Sequence, residues 1–510
     1  MSQCSIQRKR KLKLNTTSSL IFQITVVVCG FILPRFILSY FGSEINGLVN
    51  SIMQFLQLIG FLELGVGAVV QSSLYKPLAD KDKVTISKII ASADKFFKTL
   101  AKILLAYVIG LTIFYPFIVD KNFSWIYTAT LILAISISMF AQYYFGIVNQ
   151  LLITADQRGY LSYTAQTLTL IINTVACVIL IKLGASIQIV KLTTSIIYLG
   201  RPIFLHVYVD RHYKIDRKIE YDEEPIKQKW NGIAQHVAAV ILGGTDNIVL
   251  TLFSTLSNVS IYSVYFMVVN GVKTIILSLT NGLQSLMGEL WARREIDNLT
   301  KTFSMVEWAI NTATTIVFTC TAILIVPFVQ VYTRGINDAN YTQPLFAVLI
   351  TIAFAMNCIR LPYNMMILAG GHYKQTQRNY IVAAIVNICV SVAMVSIFGL
   401  IGVAIGTLAA LLYQTIWMAW YNSNNFINWP MKSFLKQFLV DAITFVCGYV
   451  VTLKIQMIVC SWIGWILLSA EVFLIVLGIV IIINLICYRK NVKFINNKIK
   501  KGIRHREGKV

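Results

Sequence analysis

Charge is what this sequence has least of. Only 13% of its 510 residues are Asp, Glu, Lys or Arg, against about a quarter in ordinary soluble domains, which excludes a water-soluble enzyme or binding module. Acids are the scarcer sign, 22 against 44 Lys and Arg, giving a formal net charge of +22. The basic residues are split among short segments between apolar runs, a pattern of membrane topology and not of nucleic-acid binding. The cysteines (Cys4, Cys29, Cys177, Cys320, Cys358, Cys389, Cys447, Cys460 and Cys487) fall almost all in apolar runs and form no CxxC pair, so neither a disulfide framework nor a zinc site is indicated. His206, His212, His372 and His505 lack metal-ligand spacing, and no Walker or HExxH motif occurs, so no metal or cofactor is expected. Two weak enzyme signals remain. Asp80-Lys81-Asp82 has the spacing of a metal-binding DxD pair but lies in a Lys-rich loop, and His236 has no acid-base partner nearby. An integral membrane glycosyltransferase or acyltransferase therefore stands only as an alternative, and an enzyme is not expected.

What is abundant is apolar surface: 57% of side chains are hydrophobic, with a mean hydropathy of +0.69. Apolar runs cover 17–40, a second stretch ending near Ser73, and 100–119, 125–153, 163–183 and 191–209. They resume at 231–253, 261–288, 303–329, 344–368, 379–398 and 401–421, and two more follow at 438–459 and 462–488. These predict an all-α polytopic membrane protein of about fourteen transmembrane helices, each long enough for a core of roughly 30 Å. The expected organisation is a basic N-terminus (1–16), a six-helix bundle (17–209), a charged cytoplasmic connector (210–230), a second six-helix bundle (231–421), two extra helices (438–488) and a basic tail (489–510). No cleavage site follows Arg8, Lys9, Arg10, Lys11 and Lys13, so the first span is retained. The distribution of Lys and Arg puts both termini in the cytoplasm. Residues 80–98, with Ile86, Ile89, Ile90, Ala93, Phe96 and Phe97 at helical spacing and lysines between them, predict a helix lying on the cytoplasmic leaflet.

Polar residues inside the apolar runs are not scattered. Ala353, Asn357, Arg360 and Asn364 follow one another at steps of four, three and four, which puts them on one helix face next to Pro362. Gln142, Gly146, Asn149 and Ile153 repeat this pattern 215 residues earlier, counting from Gln142 to Asn357. Residues 70–74 and 283–287 match at a similar offset, so two related halves are expected. The intramembrane cations are Arg35, Arg201, Lys273 and Arg360, with stripes Lys191, Thr194, Tyr198, Arg201 and Asn270, Lys273, Thr280, Gln284 around two of them. A mid-span guanidinium costs roughly 2.5–3.5 kcal/mol on insertion scales, so Arg201 and Arg360 are expected to face a cavity. Arg35, nearer a span end, fits equally an ion pair with Asp246. The acids are Glu63, Asp246, Asp441 and Glu471. Asp246 continues a stripe of Gly232, His236, Ala239 and Gly243, and no role follows for Asp441 or Glu471.

Cations outnumbering acids favour an anionic ligand, and guanidinium forks suit phosphate oxygens. Together with two halves, they point to a transporter that rocks around a central site. The segments LPRFILSYFGSEINGLVNSIMQFLQLIGFLELGVGAVVQSSLYKPLADKD (33–82), GGTDNIVL with VSIYSVY (243–250, 259–265), NGLQSLMGELWA (281–292) and RLPYNMMILAGGHYKQTQRNY (360–380) resemble the polysaccharide repeat-unit flippases. These belong to the multidrug/oligosaccharidyl-lipid/polysaccharide exporter superfamily, and the likeness runs in order along almost the whole chain. The resemblance implies two six-helix bundles, often with two further C-terminal helices that in lipid II flippases form a groove for the lipid tail. It also implies an undecaprenyl-pyrophosphate-linked oligosaccharide substrate, moved to the outer leaflet of a bacterial plasma membrane for capsule or O-antigen export. A polysaccharide polymerase and other assembly proteins become candidate partners, beside membrane lipids. On that reading Arg35, Arg201, Lys273 and Arg360 hold the pyrophosphate, and Gln142, Asn149, Asn270, Asn357 and Asn364 meet sugar hydroxyls. Glu63 and Asp246 are the coupling or gating candidates, and the acids a cation-coupled multidrug exporter of the same superfamily would use. A scaffold for a biosynthetic complex is the third alternative, though it has no need of mid-span arginines. A monomer is expected, since two halves can form the path without a second chain.

Overall fold

The computed structural model describes residues 3–62, 64–119, 123–217, 219–221, 244–280, 283–427, 429–452 and 461–492. Among them the chain is helical, with no strand. The helices are α1 (Gln3–Gln57), α2 (Leu64–Asp80), α3 (Lys83–Ile118), α4 (Trp125–Ala141), α5 (Ile147–Ala155), α6 (Gly159–Lys182), α7 (Ile187–His212) and the helical residues 244–253 (α8). They continue with α9 (Leu256–Leu279), α10 (Leu283–Ala292), α11 (Ile296–Tyr332), α12 (Pro344–Ile359), α13 (Leu361–Ala369), α14 (Tyr373–Phe398), α15 (Leu400–Asn425), α16 (Met431–Thr452) and α17 (Trp462–Cys487). Twelve described stretches are long and apolar enough to cross a bilayer, and the chain is a multi-pass membrane protein. The expected fourteen differ from these twelve at two places. The first two predicted spans share one stretch, Lys13–Gly60, and the predicted span 231–253 begins outside the described residues.

The shared stretch arises because the turn expected at 42–47 is a single-residue break. Gly42 takes φ 82°, ψ 177°, and the helix resumes at Ser43. The side chain of Asp338, distant in sequence, caps that second helix: its Oδ2 accepts from the Ser43 backbone N–H at 2.6 Å and its Oδ1 from the Ser43 hydroxyl at 2.7 Å. A Cβ on residue 42 would stand 2.7 Å from the same carboxylate, so glycine is required both for φ and for space.

The surface helix predicted at 80–98 is not a separate element. With no breaker before Pro116, the chain continues as one 36-residue helix, α3, about 54 Å long at 1.5 Å per residue. Asp82 caps its start through the Val84 and Thr85 N–H groups, and the Thr85 hydroxyl holds the Asp82 carboxyl below its usual range. The apolar face read as lipid-facing (Ile86, Ile89, Ile90, Ala93, Phe97) is buried in protein.

Element boundaries recur at a fixed offset. Between α3 and α11, α5 and α13, α6 and α14, and α7 and α15, the starting residues differ by 213 or 214 (296 − 83, 361 − 147, 373 − 159, 400 − 187). The lengths pair as 36 and 37, 9 and 9, 24 and 26, and 26 and 26 residues.

The chain forms two compact units, unit 1 (Met1–Ser263 with Gly335–Ala339) and unit 2 (Val264–Arg334 with Asn340–Val510). In unit 1, α1 packs on α6, and α7 on α4 and α6, around a continuous apolar core that includes Leu48, Ile52, Phe97, Leu104 and Leu205. In unit 2, α14 and α15 form a tight hairpin, and α16 and α17 pack against α11. Trp308 Nε1 donates to Asn484 Oδ1 at 2.7 Å, beside a cluster of Leu324, Leu468, Val472, Val476 and Val480.

The α14–α15 hairpin depends on close backbone approach. A Cβ at Gly402 would meet the Met394 carbonyl at 2.4 Å, whereas one at Gly200 on α7 would meet nothing within 4 Å. Gly402→Ala is expected to cost about 1–3 kcal/mol as an overpacking change and to lower the thermal unfolding midpoint in detergent. Gly200→Ala is expected to leave that midpoint unchanged or slightly raised; equal loss in both variants would contradict this packing.

Candidate ligand site

Unit 1 holds an open-sided cavity of about 710 Å³, within the size range of small-molecule sites, lined from α1, α4, α6, α7 and the segment after α4. One wall is the stripe Lys191, Thr194, Tyr198 and Arg201, at steps of three, four and three along α7. Facing residues include Asn50 and Gln57 of α1, Gln166 and Asn173 of α6, and Gln142. Two cations thus line the cavity, and among its described lining residues there is no carboxylate. Lys191 is buried to 9% exposure and Arg201 is half-buried.

Local backbone irregularity positions this wall. Gln142–Gly146 is a single π-helical turn between α4 and α5. A Cβ on Gly146 would lie 2.9 Å from Pro202, so the absence of a side chain lets α7 approach at the residue following Arg201. The Arg201 guanidinium donates to Gln150 Oε1, which also accepts from Gln142 Nε2 at 3.3 Å. A proline inside α7 withdraws one backbone N–H from the helical ladder next to Arg201.

The other predicted residues divide between the units. Arg35 is half-buried on α1, next to Pro34, which lines the cavity. Asn149 is buried in a separate polar cluster: Arg217 Nη2 donates to its Oδ1 at 2.7 Å, its own Nδ2 donates to the Phe145 carbonyl, and His206 Nδ1 lies 3.2 Å away. Arg217 comes from the connector and also pairs with buried Asp94 at 2.9 Å and with Asp210 at 3.2 Å. Asp246 is buried and accepts from the Tyr262 hydroxyl at 2.8 Å. Glu63, and the stripe of Gly232, His236, Ala239 and Gly243, lie outside the described residues.

In unit 2 the stripe that contains Arg360 has a sharp signature. Across 356–367 every residue is buried except Asn357, Arg360 and Asn364. Arg360 stands at the break between α12 and α13, two residues before Pro362, and donates to Gln414 Oε1 with its guanidinium 5.9 Å from the Tyr380 ring. Tyr380 in turn donates to Asn364 Oδ1 at 2.6 Å. The Lys273 ammonium lies 5.3 Å from the Phe354 ring and within electrostatic reach of Arg360, and half-buried Asn270 precedes it by three residues on α9. Unit 2 therefore gathers Lys273 and Arg360, and unit 1 gathers Lys191 and Arg201. Lys191, Gln150 and Asn173 were not singled out as ligand contacts from sequence. For Lys191 the available signal was its helical phase with Arg201, ten residues on.

The lipid II flippase MurJ, in an inward closed conformation, superposes with a TM-score of 0.71 at 16% identity, covering 94% of this chain and 99% of its own. The fold is that of MurJ. The Vibrio cholerae MATE transporter VcmN matches at 0.58 and 13% identity, covering 81% of this chain and 95% of its own. A MOP superfamily transporter from Pyrococcus furiosus matches at 0.57 and 13% identity, covering 81% and 96%. No protein-family model and no curated protein sequence matches the chain. These solved structures are transporters and flippases, and at such identities the likeness shows the fold alone.

The connector arginine gives a direct test of the unit-1 packing. Arg217→Ala leaves Asp94 buried without its partner and is expected to cost roughly 3–5 kcal/mol, toward the low end because Arg217 keeps some exposure. Adding Asp94→Asn to that variant should restore part of the loss in thermal unfolding. A double variant no more stable than Arg217→Ala alone would contradict the pairing.

Proposed function

We propose that this protein is a flippase for an anionic lipid-linked oligosaccharide, an undecaprenyl-pyrophosphate saccharide repeat unit carried from the cytoplasmic to the outer leaflet by alternating access. The observation that carries this reading is the unit-1 cavity, lined by Lys191 and Arg201 with no carboxylate among its described lining residues. Such a lining is complementary to an anion, and the planar guanidinium of Arg201 fits a phosphate bidentately. A cationic drug would instead require acids on that wall, so the multidrug-exporter reading is less well supported. The MurJ-like fold agrees with a lipid-linked substrate.

In this reading Arg201 and Lys191 engage the diphosphate, and Arg35, Lys273 and Arg360 are the further cations that it meets during the cycle. Gln142, Asn270, Asn357 and Asn364 offer amides to sugar hydroxyls, while the polyprenyl tail stays in lipid. Asn149, already bonded to Arg217, contributes by holding the connector. Asp246 and Glu63 are the groups through which coupling to an ion would act. With both termini cytoplasmic, an inside-negative potential assists outward movement of the anionic head by about 2.3 kcal/mol per charge per 100 mV. The protein acts as a monomer in a bacterial plasma membrane and hands its cargo to the polymerising machinery of surface polysaccharide synthesis.

Reconstitution into proteoliposomes with a fluorescent polyprenyl-diphosphate saccharide tests the assignment. Loss of one charge-assisted contact, worth about 1.5–3 kcal/mol, predicts that Arg201→Ala lowers the flipping rate by roughly ten- to a hundredfold, with Lys191→Ala following and Arg201→Lys keeping part of it. Unchanged flipping in Arg201→Ala and Lys191→Ala, or transport of a cationic dye in place of the diphosphate, would refute it.

A further inference from the structure

The lysines of α3 are used by nothing described so far. Lys95, Lys98 and Lys102 follow one another at steps of three and four, and the same stripe runs on as Leu105, Ile109, Ile113 and Phe117 at steps of three, four, four and four. The four apolar members are 46–83% exposed, which on a helix of a multi-pass membrane protein is a face turned to lipid. Lys95 and Lys102 are exposed and Lys98 is half-buried, so one face changes from aliphatic to cationic within a single turn. From Lys98 to Val119, which caps the far end of α3, are 21 residues (119 − 98), about 32 Å at 1.5 Å each, matching a hydrocarbon core of roughly 30 Å. Lys98 then stands at the edge of the core and Lys95 among the headgroups. Lys102 reaches the same layer, because helical side chains lean toward the N-terminus and a lysine stem can lie along apolar surface. Tyr144 marks this depth: it is 42% exposed, its ring centroid is 5.7 Å from Lys98 Nζ, and tyrosines gather at membrane–water boundaries.

No acid on α3 offsets these lysines. Its one carboxylate, Asp94, is buried and paired with Arg217, and among the described residues Lys95, Lys98 and Lys102 form no ion pair. The internal repeat shows what covers this face elsewhere. At the 213-residue offset between the starts of α3 and α11, the three lysines correspond to Trp308, Asn311 and Thr315, all buried. Trp308 donates to Asn484 of α17, and the Thr315 hydroxyl bonds Asp441 of α16. In unit 2 this face is thus neutral and sheathed by the C-terminal helix pair, whereas in unit 1 the described residues leave it open and charged. A complementary occupant carries negative charge at the depth of Lys95 to Lys102 and hydrocarbon along Leu105 to Phe117, which is the build of an anionic phospholipid.

We propose that this face of α3 binds an anionic phospholipid of the surrounding leaflet, its phosphate held by Lys95, Lys98 and Lys102 beside Tyr144 and its acyl chains lying on Leu105, Ile109 and Ile113. The site is separate from the unit-1 cavity, none of whose described lining residues belongs to α3, and it does not depend on the cargo. Lys88 supplies an internal comparison. It lies on the same stripe but about 15 Å beyond Lys98 along the axis, outside the headgroup layer and within electrostatic reach of Asp82.

The test uses the full chain in phosphatidylcholine nanodiscs that contain a little phosphatidylglycerol with a photoactivatable headgroup. Crosslinks should map to residues 95–102 and Tyr144, and unlabelled phosphatidylglycerol should compete for them while further phosphatidylcholine or inorganic phosphate should not. A lysine near a membrane surface is worth about fivefold in affinity for an anionic lipid, so Lys95→Gln, Lys98→Gln and Lys102→Gln combined should weaken binding at this site roughly a hundredfold. Replacing the same three by arginine should keep it, and Lys88→Gln should change it less than about twofold. Because the three side chains are exposed or half-buried, the triple glutamine variant should unfold at the wild-type temperature in phosphatidylcholine alone. The proposal is overturned if wild-type crosslinks fall elsewhere, or if the triple glutamine variant keeps wild-type labelling. Loss in the arginine variant equal to that in the glutamine one, or an equal loss from Lys88→Gln, would also overturn it.

Discussion

Positive charge in a low-dielectric cavity is the constraint around which unit 1 is arranged. A lysine and an arginine inside a helical bundle are tolerated only where water, a polar wall or an anion meets them, and each neighbouring feature supplies one of these. The π-turn and Pro202 open the backbone beside Arg201, Gln150 gives it an oxygen that also accepts from Gln142, and Gly146 lets α7 come close enough for those contacts. Remove the cations and nothing in this region requires a cavity.

Unit 2 answers the same constraint differently. Arg360 occupies a helix break rather than a helix interior, its guanidinium resting against Gln414 and the Tyr380 ring, and within 356–367 only Asn357 and Asn364, in phase with it, are likewise not buried. The same unit also buries negative charge, at Glu307 and Asp441, away from any basic partner among the described residues. Charge of both signs is thus kept inside apolar helices. The fold matches that of MurJ over nearly the full length of both chains.

What could be read beforehand followed helical phase. The stripes Lys191–Arg201 and Asn357–Asn364 needed only the spacing of 3.6 residues per turn, and each emerged on one face. The recurrence near Gln142 and Asn357 reappears as matched helix starts at an offset of 213 or 214. Features that depend on partners remote in sequence were not legible. Asp338 capping Ser43, Arg217 folding back onto Asp94 and Asn149, and Glu307 meeting the helix of Asp441 join residues that no periodicity connects. The extent of α3 was misread because its lysines suggested a surface helix, although no residue before Pro116 stops the helix. Glu307 passed unnoticed inside an apolar run, where a single acid is itself the signal to follow.

The central claim is that an anionic diphosphate is received beside Lys191 and Arg201. Electron cryo-microscopy of the protein in nanodiscs, with a short-chain polyprenyl-diphosphate disaccharide bound, tests it most directly. The account predicts diphosphate density within hydrogen-bonding distance of the Arg201 guanidinium and the Lys191 ammonium, with the sugars toward Gln142 and Asn173. Density for the diphosphate at a site that touches neither cation would contradict it.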